Sequence, residues 1–265
     1  MKLFDTHAHI TDSKFDAAIE AAGFEKDNID LCLTVGYDMA SSYKAVELAG
    51  KFDKVYAAVG VHPHSASSFT KSAGDELIRL AKSSRKVVAI GETGLDYYRN
   101  LSPADTQLYA AFKQIDIACE AGLPVIFHIR EAYVDMRKLV NNSINKLKNG
   151  VLLHCFSGDA KEAAYYTQLE RKTGVPFYFS FSGAITYKKS ASEDAIKAVP
   201  LNRLLIETDC PYLTPEPFRG KLNRPAYVYY VAEKLSKILG KSVEEIAKLT
   251  NQNGRTLLKI TDFSK

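Results

Sequence analysis

The stretch Lys2-Leu-Phe-Asp-Thr-His-Ala-His-Ile10 opens the chain with an apolar strand that runs into a pair of histidines. Because side chains alternate between the two faces of a strand, His7 and His9 are expected on the same face. Two neutral imidazoles at a strand end can bind one divalent cation. Asp5 belongs to that face too, and we expect its carboxylate to hold the His7 ring in the tautomer that binds metal. Alone, such a pair is more often the polar end of a surface strand, so the rest of the chain has to decide.

Beyond this stretch, short apolar runs alternate with longer amphipathic segments throughout the 265 residues. They predict eight strands, each followed by a helix, at roughly thirty residues per unit, which suits a (β/α)8 barrel of about 250 residues. A doubly wound open sheet is the main alternative, but the chain has no G-x-G-x-x-G loop. No linker separates two halves. We therefore predict an α/β protein, a single (β/α)8 TIM barrel with an extra C-terminal helix, as one domain over residues 1–265.

After the first strand, the predicted strands cover residues 29–35, 55–61, 87–92, 124–128, 151–156, 176–181 and 204–209. The predicted helices cover residues 15–22, 39–49, 75–82, 104–120, 133–147, 160–172, 191–198, 226–239 and 243–259. Ser102 is expected to cap the fourth helix, with Pro103 in its first turn.

Composition sets the class of protein. The net charge of +4 is a mild basic bias that would not repel a polyanion and points only weakly to nucleic acid. The cysteines are widely spaced, which predicts reduced thiols and neither a disulfide framework nor a zinc ribbon. We expect no signal peptide, and no apolar run approaches the roughly 20 residues that span a bilayer. These features predict a cytoplasmic protein without a membrane contact or an obligate protein partner. The four cysteines are Cys32, Cys119, Cys155 and Cys210.

The residues that could carry chemistry share one location. Active sites of such barrels lie at the C-terminal ends of the strands, and all six histidines fall there. Singly, these residues have structural explanations: core histidines bonded to backbone, loop residues, a carboxylate paired with lysine or one that shapes a turn. Their common location favours a metal site. The set is His7, His9, His62, His64, Glu92, His128, His154 and Asp209.

Six of these residues offer four imidazoles and two carboxylates, more than one tetrahedral zinc with an open position requires. They suit two cations about 3.5–4 Å apart that share a bridging ligand and a water. Glu92 is the candidate bridge, because a carboxylate between two strands can bridge where an imidazole cannot. Glu207 is expected to support the site and not to bind metal. Imidazoles favour Zn or Mn and phosphate chemistry often uses Mg, so the metal stays open. The six candidate ligands are His7, His9, Glu92, His128, His154 and Asp209.

Six segments of the chain resemble, in order, the signature segments of the TatD family of metal-dependent hydrolases, which belongs to the wider amidohydrolase group. The segments are Asp5-Thr-His-Ala-His9, Gly60-Val-His-Pro-His64, Gly91-Glu-Thr-Gly-Leu-Asp-Tyr97, Pro124-Val-Ile-Phe-His128, His154-Cys-Phe-Ser-Gly158 and Glu207-Thr-Asp-Cys-Pro211.

The resemblance implies a TIM barrel, divalent metals and phosphodiester hydrolysis, usually as a DNase with 3′-to-5′ exonuclease character. It assigns His62 to a substrate phosphate and gives Asp209 a second role, as the base that orients or deprotonates the attacking water. One metal would be bound by His7, His9, Glu92 and Asp209, and the other by Glu92, His128 and His154.

Two further groups could contact substrate. Arg219, Lys221 and Arg224 follow strand eight, where barrels often bind phosphate, although this loop departs from the family pattern at Leu222 and Arg224. Tyr97, with Tyr98 and Arg99, could stack on a base and touch phosphate. The alternatives are a solvated basic loop and ordinary tyrosine packing.

We expect hydrolysis of DNA from single-stranded or frayed ends, because no element for reading a groove is visible. The alternative is metal-dependent hydrolysis of a carbon ester such as D-aminoacyl-tRNA. A third hypothesis, a barrel that binds nucleic acid or a partner without chemistry, has no support in the sequence, since all six ligand positions carry competent residues.

Overall fold

The computed structural model describes residues 1–188 and 193–261, and its centre is a sheet of eight parallel strands in sequential order. The last strand returns to the first: the Asp209 amide donates to the His7 carbonyl at 2.9 Å, and the His9 amide donates to the Cys210 carbonyl at 2.8 Å. The sheet is thus a nearly closed barrel, and the predicted TIM fold is confirmed. The strands are β1 (Leu3–Ala8), β2 (Ile29–Val35), β3 (Val55–Val59), β4 (Val87–Asp96), β5 (Val125–Arg130), β6 (Val151–Leu153), β7 (Phe177–Phe181) and β8 (Leu204–Ile206).

Within the two described ranges, α-helices alternate with the strands and an additional helix, α9, ends the fold. They are α1 (Ala17–Gly23), α2 (Met39–Lys51), α3 (Lys71–Ala81), α4 (Ala104–Ala121), α5 (Tyr133–Ser143), α6 (Ala160–Thr173), α7 (Glu193–Ala198), α8 (Val228–Leu239) and α9 (Val243–Leu257). The first residues of the predicted helix 191–198, Ala191 and Ser192, lie outside the described part. None of the described helices combines the length and apolar character needed to cross a membrane.

The apolar residues form two cores, one on each face of the barrel wall. Inside the barrel, every strand contributes to a cluster that includes Phe4, Leu33 and Ile126, and Leu257 and Leu258 close this cluster from the end of α9. The larger core lies between the strands and the surrounding helices. The extra helix therefore completes the packing at the end of the barrel opposite the strands' C-terminal ends.

The predicted bounds differ most at the strand ends. β6 and β8 are three residues long and shorter than predicted. The residues that follow them include Cys155 (φ 43°) and Asp209 (φ 56°), whose left-handed backbone does not belong to a strand. β4 and β5 are longer than predicted because they stay paired to their ends, with Gly94 opposite His128 and Asp96 opposite Arg130.

The predicted cap of the fourth helix is wrong. α4 begins after Pro103 without a side-chain cap. The Ser102 hydroxyl instead donates to the His64 carbonyl at 3.0 Å and accepts from the Ser67 amide at 3.1 Å. Ser102 thus connects the loop after β3, which carries His64, to the start of α4 and helps to position that loop.

Candidate metal centre

The buried carboxylate of Glu92, on β4, lies at the centre of four imidazoles. Its Oε2 is 3.6 Å from His7 Nε2, 3.8 Å from His128 Nδ1 and 3.4 Å from His154 Nε2. Its Oε1 is 3.5 Å from His9 Nε2. The four histidines come from β1, from β5 and from the residues that follow β1 and β6. They meet because parallel strands all end on the same side of the barrel.

Asp209, in the segment after β8, lies beside two of these histidines. Its Oδ1 lies 3.3 Å from His9 Nε2 and 3.8 Å from His7 Nε2. Its left-handed backbone, which is costly for most residues and tolerated by Asp, is held by the hydrogen bond to the His7 carbonyl. The structure therefore brings all six predicted ligand positions together at one end of the barrel.

Buried acceptors orient two of the rings. His9 Nδ1 lies 2.8 Å from the Val35 carbonyl, so Nδ1 carries a proton and Nε2 is the nitrogen that faces Glu92 and Asp209. His154 Nδ1 lies 2.8 Å from Glu207 Oε1. That same oxygen accepts from the Cys155 amide at 2.8 Å. Glu207 thus sits behind a candidate ligand, in the supporting position expected for it.

The expectation for Asp5 is wrong. Its carboxylate does not contact the His7 ring; it accepts from the Thr208 amide at 2.9 Å and from the Thr208 hydroxyl at 2.6 Å. Burial is the main cause that raises the pKa of Asp5, to about 8. Asp5 therefore fixes the end of β8 against β1 and orients no ligand.

Asp96 and three histidines form the other side of the site. His64 Nε2 lies 2.7 Å from Asp96 Oδ2, and His128 Nε2 lies 3.3 Å from the same oxygen. A proton on His128 Nε2 leaves its Nδ1 lone pair facing Glu92. The His62 ring packs edge-on to the His128 ring, with their centroids 4.5 Å apart.

The imidazoles of the site differ in pKa. Burial is the largest influence on His7, and it holds the pKa of His7 well below its usual range. Burial also opposes a charge on His9 and His154, but neighbouring carboxylates outweigh it and raise the pKa of His9 to about 9 and that of His154 to about 10. A cation that enters the site must therefore displace protons from these two rings.

A divalent cation fits the donors that are present. Both ring nitrogens of His7 are buried and have no hydrogen-bond partner among the described residues, an arrangement that costs free energy unless another group uses the lone pair. In each of three sets of residues, the atoms that could bind a metal lie within 4.8 Å of one another. Imidazole and carboxylate are ligands for Zn and Mn, and a carboxylate suits Mg. The sets are His7, His154 and Asp209; His7, His9 and Glu92; and His62, Glu92 and His128.

The third set bears on His62, for which the resemblance implies a phosphate contact. The structure places its ring with two candidate ligands, so His62 can reach either a cation or a phosphate beside it.

An open cavity of about 730 Å³ leads to these residues. The predicted basic loop does not line it: Arg224 pairs with Glu20 at 3.1 Å, the Arg219 guanidinium lies 4.5 Å from the Tyr187 ring, and Lys221 lies 5.5 Å from the Phe218 ring. Tyr97 does not line it either, since its hydroxyl donates to Asp135 at 3.2 Å. The roles in substrate binding of Tyr97, Arg219, Lys221 and Arg224 stay predictions.

Sequence reasoning missed several residues of the cavity wall. Arg130, Tyr37, Tyr212 and Asp96 line the cavity. Arg99, for which a phosphate contact is expected from the sequence, lines it too. The sequence offered a signal for Arg130, which follows His128 by two residues on the same strand and so shares its face. It offered none for Tyr37, which follows a strand that ends without other distinctive residues, whereas Tyr212 comes three residues after the candidate ligand Asp209.

A (β/α)8 barrel whose strand ends gather imidazoles and carboxylates around one cavity defines the class of metal-dependent hydrolases. The family described as TatD related DNase matches residues 4–259, and the chain belongs to this family.

Relatives of known name agree with that assignment. The chain is 39% identical to the "Uncharacterized metal-dependent hydrolase YabD" of Bacillus subtilis, over 97% of this chain and 99% of the relative. It is 31% identical to the "3′-5′ ssDNA/RNA exonuclease TatD" of Salmonella typhimurium, over 97% and 99%. The crystal structure of YJJV, a TATD homolog from Escherichia coli, superposes with a TM-score of 0.89 at 26% identity and covers 98% of both chains.

Proposed function

We propose that this hydrolase cleaves phosphodiester bonds of nucleic acid and removes nucleotides from the 3′ end of single-stranded or frayed DNA. The observation that carries the proposal is the position of Glu92, whose two oxygens lie within 3.8 Å of four imidazoles. Such a carboxylate can be shared by two cations, the arrangement that suits displacement at phosphorus. A relative at 31% identity is named as a 3′-5′ ssDNA/RNA exonuclease, which supports the choice of substrate.

In this proposal each half of the site has its own ligands, and Glu92 belongs to both. His7, His9, Glu92 and Asp209 would hold one cation, and Glu92, His128 and His154 the other. When bound, two divalent cations supply an activated water and stabilise charge on the phosphate. Asp209, at the cavity surface, takes the proton of the attacking water. His62 donates to a phosphate oxygen.

The fold itself supplies the orientation of these groups. Val35 lies behind His9, Glu207 behind His154 and Asp96 behind His128, so each of the three rings turns a defined nitrogen toward Glu92. The open cavity admits a flexible strand, and we infer that the substrate enters with unpaired bases. We further propose that residues 1–265 act as one catalytic domain in the cytoplasm, where reduced cysteines are typical.

The experiment begins with protein purified without added metal, whose metal content is measured before Mg, Mn or Zn is added back. End-labelled single-stranded DNA, duplex DNA, RNA, an aminoacyl-tRNA and a small ester are then offered in parallel. We expect metal-dependent release of nucleotides from the 3′ end of single-stranded DNA. Activity confined to the aminoacyl-tRNA or the ester would overturn the proposal.

Glu92→Ala tests the shared carboxylate directly. We expect it to abolish turnover, because both halves of the site lose a ligand. Glu25→Ala removes an exposed carboxylate of a surface ion pair and is the matched control. A Glu92→Ala protein that keeps most of its nuclease activity would contradict the assigned role.

A further inference from the structure

Arg130, the last residue of β5, is a half-buried cation that lines the cavity. Among the described residues, no carboxylate or other acceptor contacts its guanidinium. Other arginines of the chain do have carboxylate partners: Arg137, Arg203, Arg224 and Arg255 each pair with an Asp or Glu at 3.2 Å or less. A guanidinium carries five donors, and those of Arg130 face a space that a ligand can fill.

The side chain of Arg130 is nevertheless held in place. Its guanidinium lies 4.0 Å from the centre of the Tyr98 ring, which is 58% exposed. Stacking on an aromatic face orients a guanidinium while leaving its edge free for a two-pronged bond to an anion. Such an edge matches the geometry of a phosphate.

The position of Arg130 relative to the candidate ligands indicates which phosphate it can reach. Arg130 follows His128 by two residues on the same strand face, so its Cα lies roughly 6.6 Å farther along β5. It therefore lies outside the ring of residues around Glu92, at a separation comparable to that of neighbouring phosphates in an extended strand. Arg99, from the neighbouring loop, lines the cavity too.

We propose that Arg130, stacked on Tyr98, binds the phosphate next to the scissile one. This inference rests on the proposed phosphodiesterase function and names a substrate requirement within it: a second phosphate, one nucleotide away. An oligonucleotide meets this requirement, whereas a diester with a single phosphate does not. The contact belongs to the end of β5 and the loop after β4, and not to the basic loop after β8.

Binding without metal gives the first test. Fluorescence anisotropy of a labelled single-stranded oligonucleotide, measured in chelator over a range of salt concentrations, reports the phosphate contacts. We expect Arg130→Gln to bind about tenfold more weakly. A plot of log K against log salt concentration should have a slope smaller in magnitude by about 0.7, the change expected for the loss of one phosphate contact on a single strand. Arg130→Lys keeps the charge, so its slope should match the wild type while its affinity falls.

Arg171→Gln is the matched control, because Arg171 is an exposed residue in the last turn of α6, at the opposite end of the barrel. Its affinity and salt slope should equal those of the wild type. Equal slopes for Arg130→Gln and the wild type would overturn the proposal. Thermal unfolding of each variant distinguishes a loss of binding from a loss of the fold. If Arg130→Gln does not fold, the lower affinity expected for Arg130→Lys tests the proposal instead.

Kinetics with metal added separate this inference from the function on which it rests. With an oligonucleotide, Arg130→Gln should raise KM about tenfold; with bis(p-nitrophenyl) phosphate, which carries one phosphate, kcat and KM should not change. An unchanged KM on the oligonucleotide, or an equal loss on both substrates, would overturn the inference and leave the phosphodiesterase function standing. A wild-type protein that cleaves neither substrate would refute the proposed function and the inference together.

Discussion

Asp209 combines a left-handed backbone with a charge in the candidate metal centre, and the two can be separated by substitution. Asn tolerates this backbone conformation about as well as Asp, whereas Ala does not. We expect Asp209→Asn to fold with near wild-type stability and to lose turnover by about 10²-fold or more, because it cannot accept the proton of the attacking water.

Asp209→Ala is the companion variant and should lose activity and also about 1 kcal/mol of stability. Steady-state turnover and chemical denaturation check the pair. Nuclease activity of Asp209→Asn near that of the wild type would contradict the proposed role as base.

Gly94 is a second residue whose backbone the site requires. It adopts φ +136°, and a Cβ there would lie 2.1 Å from the His128 carbonyl oxygen. Gly94→Ala should therefore displace β5 at His128, destabilise the protein by about 3 kcal/mol or more and weaken metal binding. Gly122→Ala is the control, because its φ is +70° but its Cβ would meet nothing within 4 Å, so it should cost only the backbone strain. Denaturation and metal titration of both variants measure the difference; equal costs would mean that the contact with His128 does not matter.

At this scale the sequence predicted which residues would meet, but not how each is supported. Histidines and carboxylates at strand ends converge in any parallel barrel, so Glu92 and His154 could be expected together. The partner of Asp5 could not be expected, because Thr208 is 203 residues away and the choice between it and the His7 ring depends on local geometry.

The strands and helices follow the periodicity of the sequence, since alternating apolar and amphipathic runs have to bury one face. Their ends do not follow it. β6 and β8 end before the left-handed residues Cys155 and Asp209, and the run of apolar residues gives no sign of this. β4 extends to Asp96 because β5 stays paired to it, which is a property of two strands and not of one.

Among the elements, α9 is tied to β2 by one ion pair that makes a prediction about pH. Asp30 Oδ2 lies 2.7 Å from the Arg255 guanidinium and 3.0 Å from Asn251 Nδ2. Burial alone would raise the pKa of Asp30, but the hydrogen bonds from Arg255 and Asn251 outweigh it and lower the pKa. The folded state therefore binds this proton less readily than the unfolded state. The stabilisation is complete above the ordinary Asp pKa of about 3.9 and is lost as the pH falls through the lowered value.

We expect Asp30→Asn to be less stable than the wild type by about 1 kcal/mol at pH 7, with the difference shrinking as the pH falls below about 4. Urea denaturation at several pH values measures it. Asp53→Asn, at an exposed position before β3, should show no such pH-dependent gap. A gap for Asp30→Asn that grows toward low pH would show that the charge of Asp30 does not stabilise the fold.

Across the whole molecule, the parallel barrel explains why residues from one end of the sequence to the other form one centre. It explains less about the substrate. The three cations after β8 were expected beside the metals from their place in the chain, but Arg224 pairs with Glu20 of α1 and Arg219 with its own loop. Such pairings are decided between side chains of different elements, and no pattern along the chain encodes them. Arg130 does line the cavity and shares a strand face with His128, but a single basic residue at a strand end is too common to single out a substrate contact.

Metal binding at the centre around Glu92 should stabilise the whole barrel. Within the described part of the chain, both buried ring nitrogens of His7 lack a hydrogen-bond partner, and the carboxylates of Glu92 and Asp209 lie close to this ring. A cation that satisfies these groups binds only the folded chain, so it should raise the free energy of unfolding, by about 2.7 kcal/mol when its concentration is one hundred times its Kd. Thermal unfolding with chelator and with added Mn or Zn measures the shift. The shift should disappear in Glu92→Ala and persist in Glu25→Ala, because only the first removes a shared ligand. An equal shift in both variants would mean that the cation stabilises the protein from somewhere other than the centre around Glu92.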